Sequence, residues 1–78
     1  MIKIKVRLYG GLQPTGTESG KKISVELPEG ATMRNLIELL KIPRNLTFLF
    51  IVNNLEKEID VELKGGDIID IFPPLAGG

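Results

Sequence analysis

From Ile2 to Tyr9 the chain alternates without a break: Ile2, Ile4, Val6 and Leu8 point one way, and Lys3, Lys5, Arg7 and Tyr9 the other. Successive side chains of a strand point to opposite faces, so this pattern predicts a half-buried strand. Gly10, Gly11, Pro14, Gly16 and Gly20 then crowd a stretch too rich in turn formers for a ladder, which predicts a mobile loop. Ile23, Val25 and Leu27 resume the alternation and predict a second strand, antiparallel to the first.

Pro28-Glu29-Gly30 closes this arm, and Thr32 stands where its hydroxyl can cap the free N–H groups of a following helix. Met33, Leu36, Ile37 and Leu40 recur at helical spacing, giving one apolar stripe to face a sheet. Pro43 has no amide hydrogen and biases Ile42 away from helical angles, so the helix is expected to end by Lys41.

The run from Phe48 to Val52 is rich in aromatic and β-branched residues and predicts a third strand, ended by Asn53-Asn54, a pair that tolerates turn geometry. Ile59, Val61 and Leu63 alternate with Asp60, Glu62 and Lys64, which predicts a short edge strand or an extended segment before the next turn. After a turn at Gly65-Gly66-Asp67, Ile68 to Phe72 reads as the last strand, and Pro73-Pro74 ends it because neither residue can donate to a ladder. The turn could be taken for an anion-binding nest. A strand-entry turn is the simpler reading.

The order β-β-α-β-β-β predicts an α+β fold of ubiquitin-like β-grasp type, with a mixed sheet of about four to five strands and one helix packed across one face. The helix stripe is expected to bury against Ile4, Val6, Leu8, Ile69 and Ile71. That arrangement turns Ile68, Asp70 and Phe72 outward, and Phe72 and Ile68 become candidates for partner docking. The domain is expected over residues 1–72, with a flexible tail over 73–78 reading Pro73-Pro74-Leu75-Ala76-Gly77-Gly78.

Composition narrows the function. Within 78 residues only one thin core fits, because a domain that small buries about 60% of its unfolded surface. The chain has no cysteine and no histidine, so structural zinc and redox thiol chemistry are excluded. Asp60, Glu62 and Asp67 form no oxygen cage of calcium type, and no metal is assigned. Ten basic residues balance ten acidic ones, leaving no global field to gather nucleic acid or membrane. The stripe of Lys3, Lys5 and Arg7 has only Tyr9 as aromatic company, which is no stacking platform for single strands; it reads as a solvated sheet face, and any role for it would be contact with an acidic partner patch. The longest apolar run is far below the roughly 20 residues that span a bilayer, and the alternating amino end is unlike a signal peptide. A soluble cytoplasmic protein is expected.

The tail carries the chemistry. Two stiff prolines are followed by side chains of decreasing bulk and then by none, a shape that can enter a narrow channel. A terminal α-carboxyl ionises at about 3.3–3.7, so at neutral pH Gly78 offers an open oxygen nucleophile. Attack on the α-phosphate of ATP would give an acyl-adenylate. Sulfur could capture it as a thiocarboxylate, or a lysine amine as an isopeptide bond. The chain has no phosphate loop, cysteine nucleophile or histidine base of its own, so a partner must supply ATP, magnesium and the sulfur donor, and no cofactor is expected to stay bound.

Phe72-Pro73-Pro74-Leu75-Ala76-Gly77-Gly78, preceded by Leu63-Lys64-Gly65-Gly66-Asp67-Ile68, resembles the molybdopterin-synthase small subunit and thiazole-biosynthesis sulfur-carrier family over essentially the entire chain. Gly66-Asp67 and Gly77-Gly78 match its pattern position for position. The resemblance implies a non-enzymatic co-substrate whose Gly78 is adenylated by an E1-like enzyme and converted to a thiocarboxylate with sulfur from a donor protein. The sulfur then passes to an acceptor such as a synthase large subunit or a thiazole synthase, with Pro73, Pro74, Leu75, Ala76 and Gly77 entering the partner's active site. Pro73-Pro74 is similar to the molybdopterin branch, whereas the short helix and the Pro43 to Leu46 connection are similar to the thiazole branch. Molybdenum or tungsten cofactor synthesis, thiazole formation and tRNA thiolation all stay open. Two other functions remain beside this one: a ubiquitin-like modifier joined to lysines through Gly78, and a β-grasp interaction domain whose tail is incidental.

Overall fold

The computed structural model describes residues 1–13, 15–42 and 49–73. Five strands and one helix follow in the order β1 (Ile2–Leu8), β2 (Lys22–Leu27), α1 (Met33–Leu39), β3 (Leu49–Val52), β4 (Leu55–Lys57) and β5 (Ile68–Phe72). The strands form one sheet in the order β2-β1-β5-β3-β4. β1 and β5 run parallel, and the other pairs are antiparallel. This is the β-grasp arrangement, with the last strand at the centre of the sheet.

The alternation in β1 does what period two predicts. Ile4, Val6 and Leu8 are buried and share a core with Val25 and Leu27 of β2, Met33, Leu36 and Ile37 of α1, and Ile69 and Ile71 of β5. The face bearing these residues is the inner face, and the outer face is the one away from α1.

The helix begins where Thr32 predicts. Its hydroxyl accepts from the Asn35 N–H while the Asn35 side chain accepts from the Thr32 N–H, a reciprocal cap. The helix ends through two bonds, Lys41 N–H to the Glu38 carbonyl at 3.1 Å and Ile42 N–H to the Ile37 carbonyl at 3.2 Å. Lys41 takes φ 59° to make them, which is a Schellman ending with lysine where glycine is usual. Pro43, which led the sequence to the same boundary, lies outside the described residues, as do the rest of the Pro43 to Leu46 connection, Phe48 and, in the first loop, Pro14.

The fourth strand differs from expectation. Asn53 and Asn54 both have positive φ, 51° and 71°, which makes a tight two-residue hairpin, so the return strand starts at once at Leu55. The segment from Ile59 to Leu63 is the extended segment of the two alternatives and not an edge strand. It passes under the start of α1, where the carbonyls of Val61 and Ile59 accept the N–H groups of Met33 and Arg34 at 2.9 and 2.8 Å. These are donors a helix start otherwise leaves unpaired. Leu63 is buried in the core, so its alternation reports packing beneath the helix rather than a ladder.

Candidate functional site

β5 lies between β1 and β3, so both its edges are paired and only its outer face and its far end are open to other contacts. On the outer face its residues run Ile68, Asp70, Phe72. Register places Lys5 beside Ile68 and Arg7 beside Asp70 on one flank. On the other flank Ile51 lies beside Asp70, and Leu49 beside Phe72. Ile68, Phe72 and Ile51 are half-buried and Leu49 is exposed, which leaves an interrupted apolar strip leading to the end of the strand.

The interruption is Asp70, expected to point outward and found on that face but buried. Arg7 covers it from β1, with Nε donating to Oδ1 at 2.5 Å and Nη2 donating to Oδ2 at 3.0 Å. The fork geometry of a guanidinium matches a carboxylate in this way. The Tyr9 hydroxyl donates to Oδ1 at 3.2 Å. The Asp70 hydrogen bond holds the Arg7 guanidinium more firmly protonated than usual, although burial opposes it. Burial raises the Tyr9 phenol above its ordinary value, and the Asp70 charge adds to this while Arg7 works against it. Tyr9 is therefore a neutral donor through the whole physiological range.

Phe72 is not a free hydrophobe. Its ring stacks on Tyr9 with centroids 4.4 Å apart and planes 11° from parallel. Tyr9 in turn lies so close to Gly20 that a Cβ there would come within 2.9 Å of its ring. The chain then leaves the sheet at Pro73, beside Gly10. Of the residues expected at the site, Ile68, Phe72 and Pro73 are thus placed together along one strand and its exit. Pro74, Leu75, Ala76, Gly77 and Gly78 lie outside the described residues.

The basic stripe is partly committed within the chain. Arg7 serves Asp70, and Lys5 Nζ donates to the Ser24 hydroxyl at 2.7 Å. At the opposite end of β5, Asp67 is a turn residue as expected of a strand entry. Its carboxylate accepts from the Lys64 N–H at 2.8 Å and from Asn53 Nδ2 at 2.9 Å. Among the described residues no cluster of acidic side chains could hold a metal ion, and no helix is long and apolar enough to cross a membrane. An open groove of about 700 Å³, lined in part by Leu27, Pro28, Ala31 and Leu39, lies where β1 begins and β2 ends, remote from the exit at Pro73.

Sequence reasoning did not single out Arg7, Tyr9, Asp70 and Gly10 as a group. A signal was present, since Arg7 and Asp70 are opposite charges facing outward on strands expected to pair. Only the register that sets them side by side was missing.

The ThiS family model matches residues 6–78, which includes β5 and the whole tail. A protein from Pyrococcus furiosus with a provisional assignment as molybdopterin converting factor subunit 1 is 30% identical, with a TM-score of 0.74 over 96% of this chain and 100% of that one. The crystal structure of SAMP1 from Haloferax volcanii superposes with a TM-score of 0.71 over 97% of this chain and 99% of that one, at 16% identity, a likeness of fold alone. Comparison with curated proteins gives no match. A match over nearly the whole length, on a five-stranded β-grasp whose central strand feeds the Gly-Gly end, places this chain in the ThiS family, with the fold of a ubiquitin-like sulfur carrier.

Proposed function

We propose that this chain is a protein co-substrate that carries sulfur on Gly78. A carboxylate oxygen of Gly78 attacks the α-phosphorus of ATP within an E1-like partner, pyrophosphate leaves, and an acyl-adenylate forms. A sulfide-level nucleophile from a donor protein then adds to the acyl carbon and expels AMP, leaving the thiocarboxylate that delivers sulfur to the acceptor. ATP and magnesium belong to the partner. This chain contributes a docking face and a tail slender enough to reach the reacting atoms. Phe72 and Ile68, with Leu49 and Ile51 beside them, are the apolar part of that face.

The observation that carries the reading is that the family match runs through Gly77 and Gly78 and not only over the domain. Support comes from the fold, because the strand that leads to those glycines is the central one, held on both edges.

Intact mass spectrometry after incubation with ATP, magnesium, a sulfide source and an E1-like enzyme tests it. One terminal oxygen should be replaced by sulfur, and deletion of Gly78 should abolish the change while leaving the circular dichroism spectrum intact. Lysine-linked conjugates in place of the thiocarboxylate would make the chain a modifier, and sulfur transfer by the truncated chain would refute the role of Gly78.

A further inference from the structure

At the end of β1 the backbone turns through Gly10 at φ 65°. A Cβ built on Gly10 would lie 2.4 Å from Cγ of Pro73 and 2.9 Å from its Cδ. Carbon atoms meet comfortably at about 3.5–4.0 Å, so the proline ring occupies the space that any side chain at residue 10 would need. The neighbouring contacts hold the same place. Tyr9 N–H donates to the Ile71 carbonyl at 3.2 Å, carrying the pairing of the two strands past the end of β1, and the Tyr9 ring stacks on Phe72. Pro73 is therefore seated from below by backbone, next to an aromatic stack that fixes the preceding residue.

We propose that Gly10, with Tyr9, forms a seat that sets the direction in which the chain leaves the sheet at Pro73, and that Gly10 is thereby a positioning residue for chemistry at Gly78. The second half rests on the sulfur-carrier reading, whereas the seat itself does not. A tail that must thread a partner while the outer face docks needs its departure angle fixed relative to that face. The proline ring already restricts its own φ to about −65°, so the orientation of Phe72 and Pro73 is what remains to be set. Relieving a 2.4 Å approach demands a shift of about 1 Å at Pro73, and a shift of that size passed on to the reacting group costs up to about 100-fold.

A control exists at the next residue. Gly11 also has a left-handed φ, 93°, but a Cβ there meets nothing within 4 Å. Gly10→Ala and Gly11→Ala each place a Cβ at positive φ, with the greater backbone strain at Gly11, and only Gly10→Ala collides with Pro73. In NMR spectra of the full chain, a nuclear Overhauser contact between residue 10 and the Pro73 ring should be present in the wild type. Gly10→Ala should displace the Phe72 amide resonance, and Gly11→Ala should not. In thiocarboxylate formation Gly10→Ala should lower kcat by up to about 100-fold with little change in KM, while Gly11→Ala stays near wild type. The loss should shrink when Pro73→Ala is added, because the ring that the methyl meets is gone. A Phe72 amide that moves no further in Gly10→Ala than in Gly11→Ala would overturn the seat, and a displaced Phe72 with unchanged kcat would overturn the positioning role. If Gly10→Ala does not fold, the double variant with Pro73→Ala must fold, or the seat is wrong. Failure of the wild type to form any thiocarboxylate would sink the sulfur-carrier reading and the positioning role with it, and the spectra would still decide the seat.

Discussion

Phe72→Ser separates the two sides of β5. Phe72 is half-buried on the outer face, and full burial of such a side chain is worth about 1.5–3 kcal/mol, so half of it contributes roughly 1–1.5 kcal/mol. Stacking on Tyr9 adds about 0.5–1.5 kcal/mol. Serine should therefore cost the fold roughly 1.5–3 kcal/mol. A chain of 78 residues has a total stability of about 4–12 kcal/mol, so the variant stays folded. Its Tm should drop by roughly 6–24 °C at about 4–8 °C per kcal/mol. Ile71, one residue earlier and fully buried on the inner face, provides the contrast, because truncating it costs about 2–5 kcal/mol before any penalty for a buried hydroxyl. The assays are urea denaturation followed by far-UV circular dichroism, and calorimetric titration with the cognate E1-like enzyme. Affinity should weaken about 30-fold or more for an aromatic anchor worth at least about 2 kcal/mol. Unchanged affinity in a folded Phe72→Ser protein would remove this face from the docking argument, and outright unfolding would show that Phe72 belongs to the core.

Tyr9 and Lys41 give two further tests. Burial raises the Tyr9 phenol, so the folded chain holds that proton more tightly than the unfolded one. Its contribution is complete below the unfolded value near 10 and is lost as pH rises through the folded value. In denaturation midpoints measured from neutral to strongly alkaline pH, Tyr9→Phe should lose less stability than wild type above about pH 10, and parallel curves would contradict this. Lys41 holds φ 59° at the close of α1, a conformation that costs a residue with a Cβ about 1–2 kcal/mol, against about 0.5–1 kcal/mol of extra chain entropy for glycine. Lys41→Gly should therefore raise stability by roughly 0.5–1 kcal/mol, and a melting temperature equal to or below wild type would refute the account of the helix ending.

Much of the fold is legible because burial imposes periods that the side chains must obey. Ile4, Val6 and Leu8 show a spacing of two, and Met33, Leu36 and Ile37 show helical spacing, and each set is buried on the face its period assigns. At residues 59–63 an edge strand and an extended segment could not be told apart, for a physical reason. Alternation at Ile59, Val61 and Leu63 is equally the signature of an extended segment packed under a helix, and only the paired left-handed asparagines reveal that the chain turns back before it. The outer face of β5 was legible only in part. Phe72 announces itself by type and is found on that face, whereas the Arg7, Tyr9 and Asp70 cluster exists only once a parallel register brings residues more than sixty apart into contact.

The parallel pairing of β1 with β5 has a consequence for how such a tail can be tuned. A central strand cannot end alone, because whatever follows its parallel neighbour must stand beside its exit. Here that neighbour runs on as Tyr9 and Gly10, so Phe72 meets the first and Pro73 the second. β3 runs the other way and presents Leu49 beside Phe72 on the opposite flank. Tyr9 and Gly10, which shape the departure of the tail, therefore stand more than sixty positions away from it in sequence. The helix and the inner face are untouched by changes there, since Leu8 is the last core residue of β1. Substitutions at Tyr9 and Gly10 should thus alter how the tail is presented at little cost to the core. By contrast, substitutions at Ile69 or Ile71 cannot reach the tail without first breaking the core they fill.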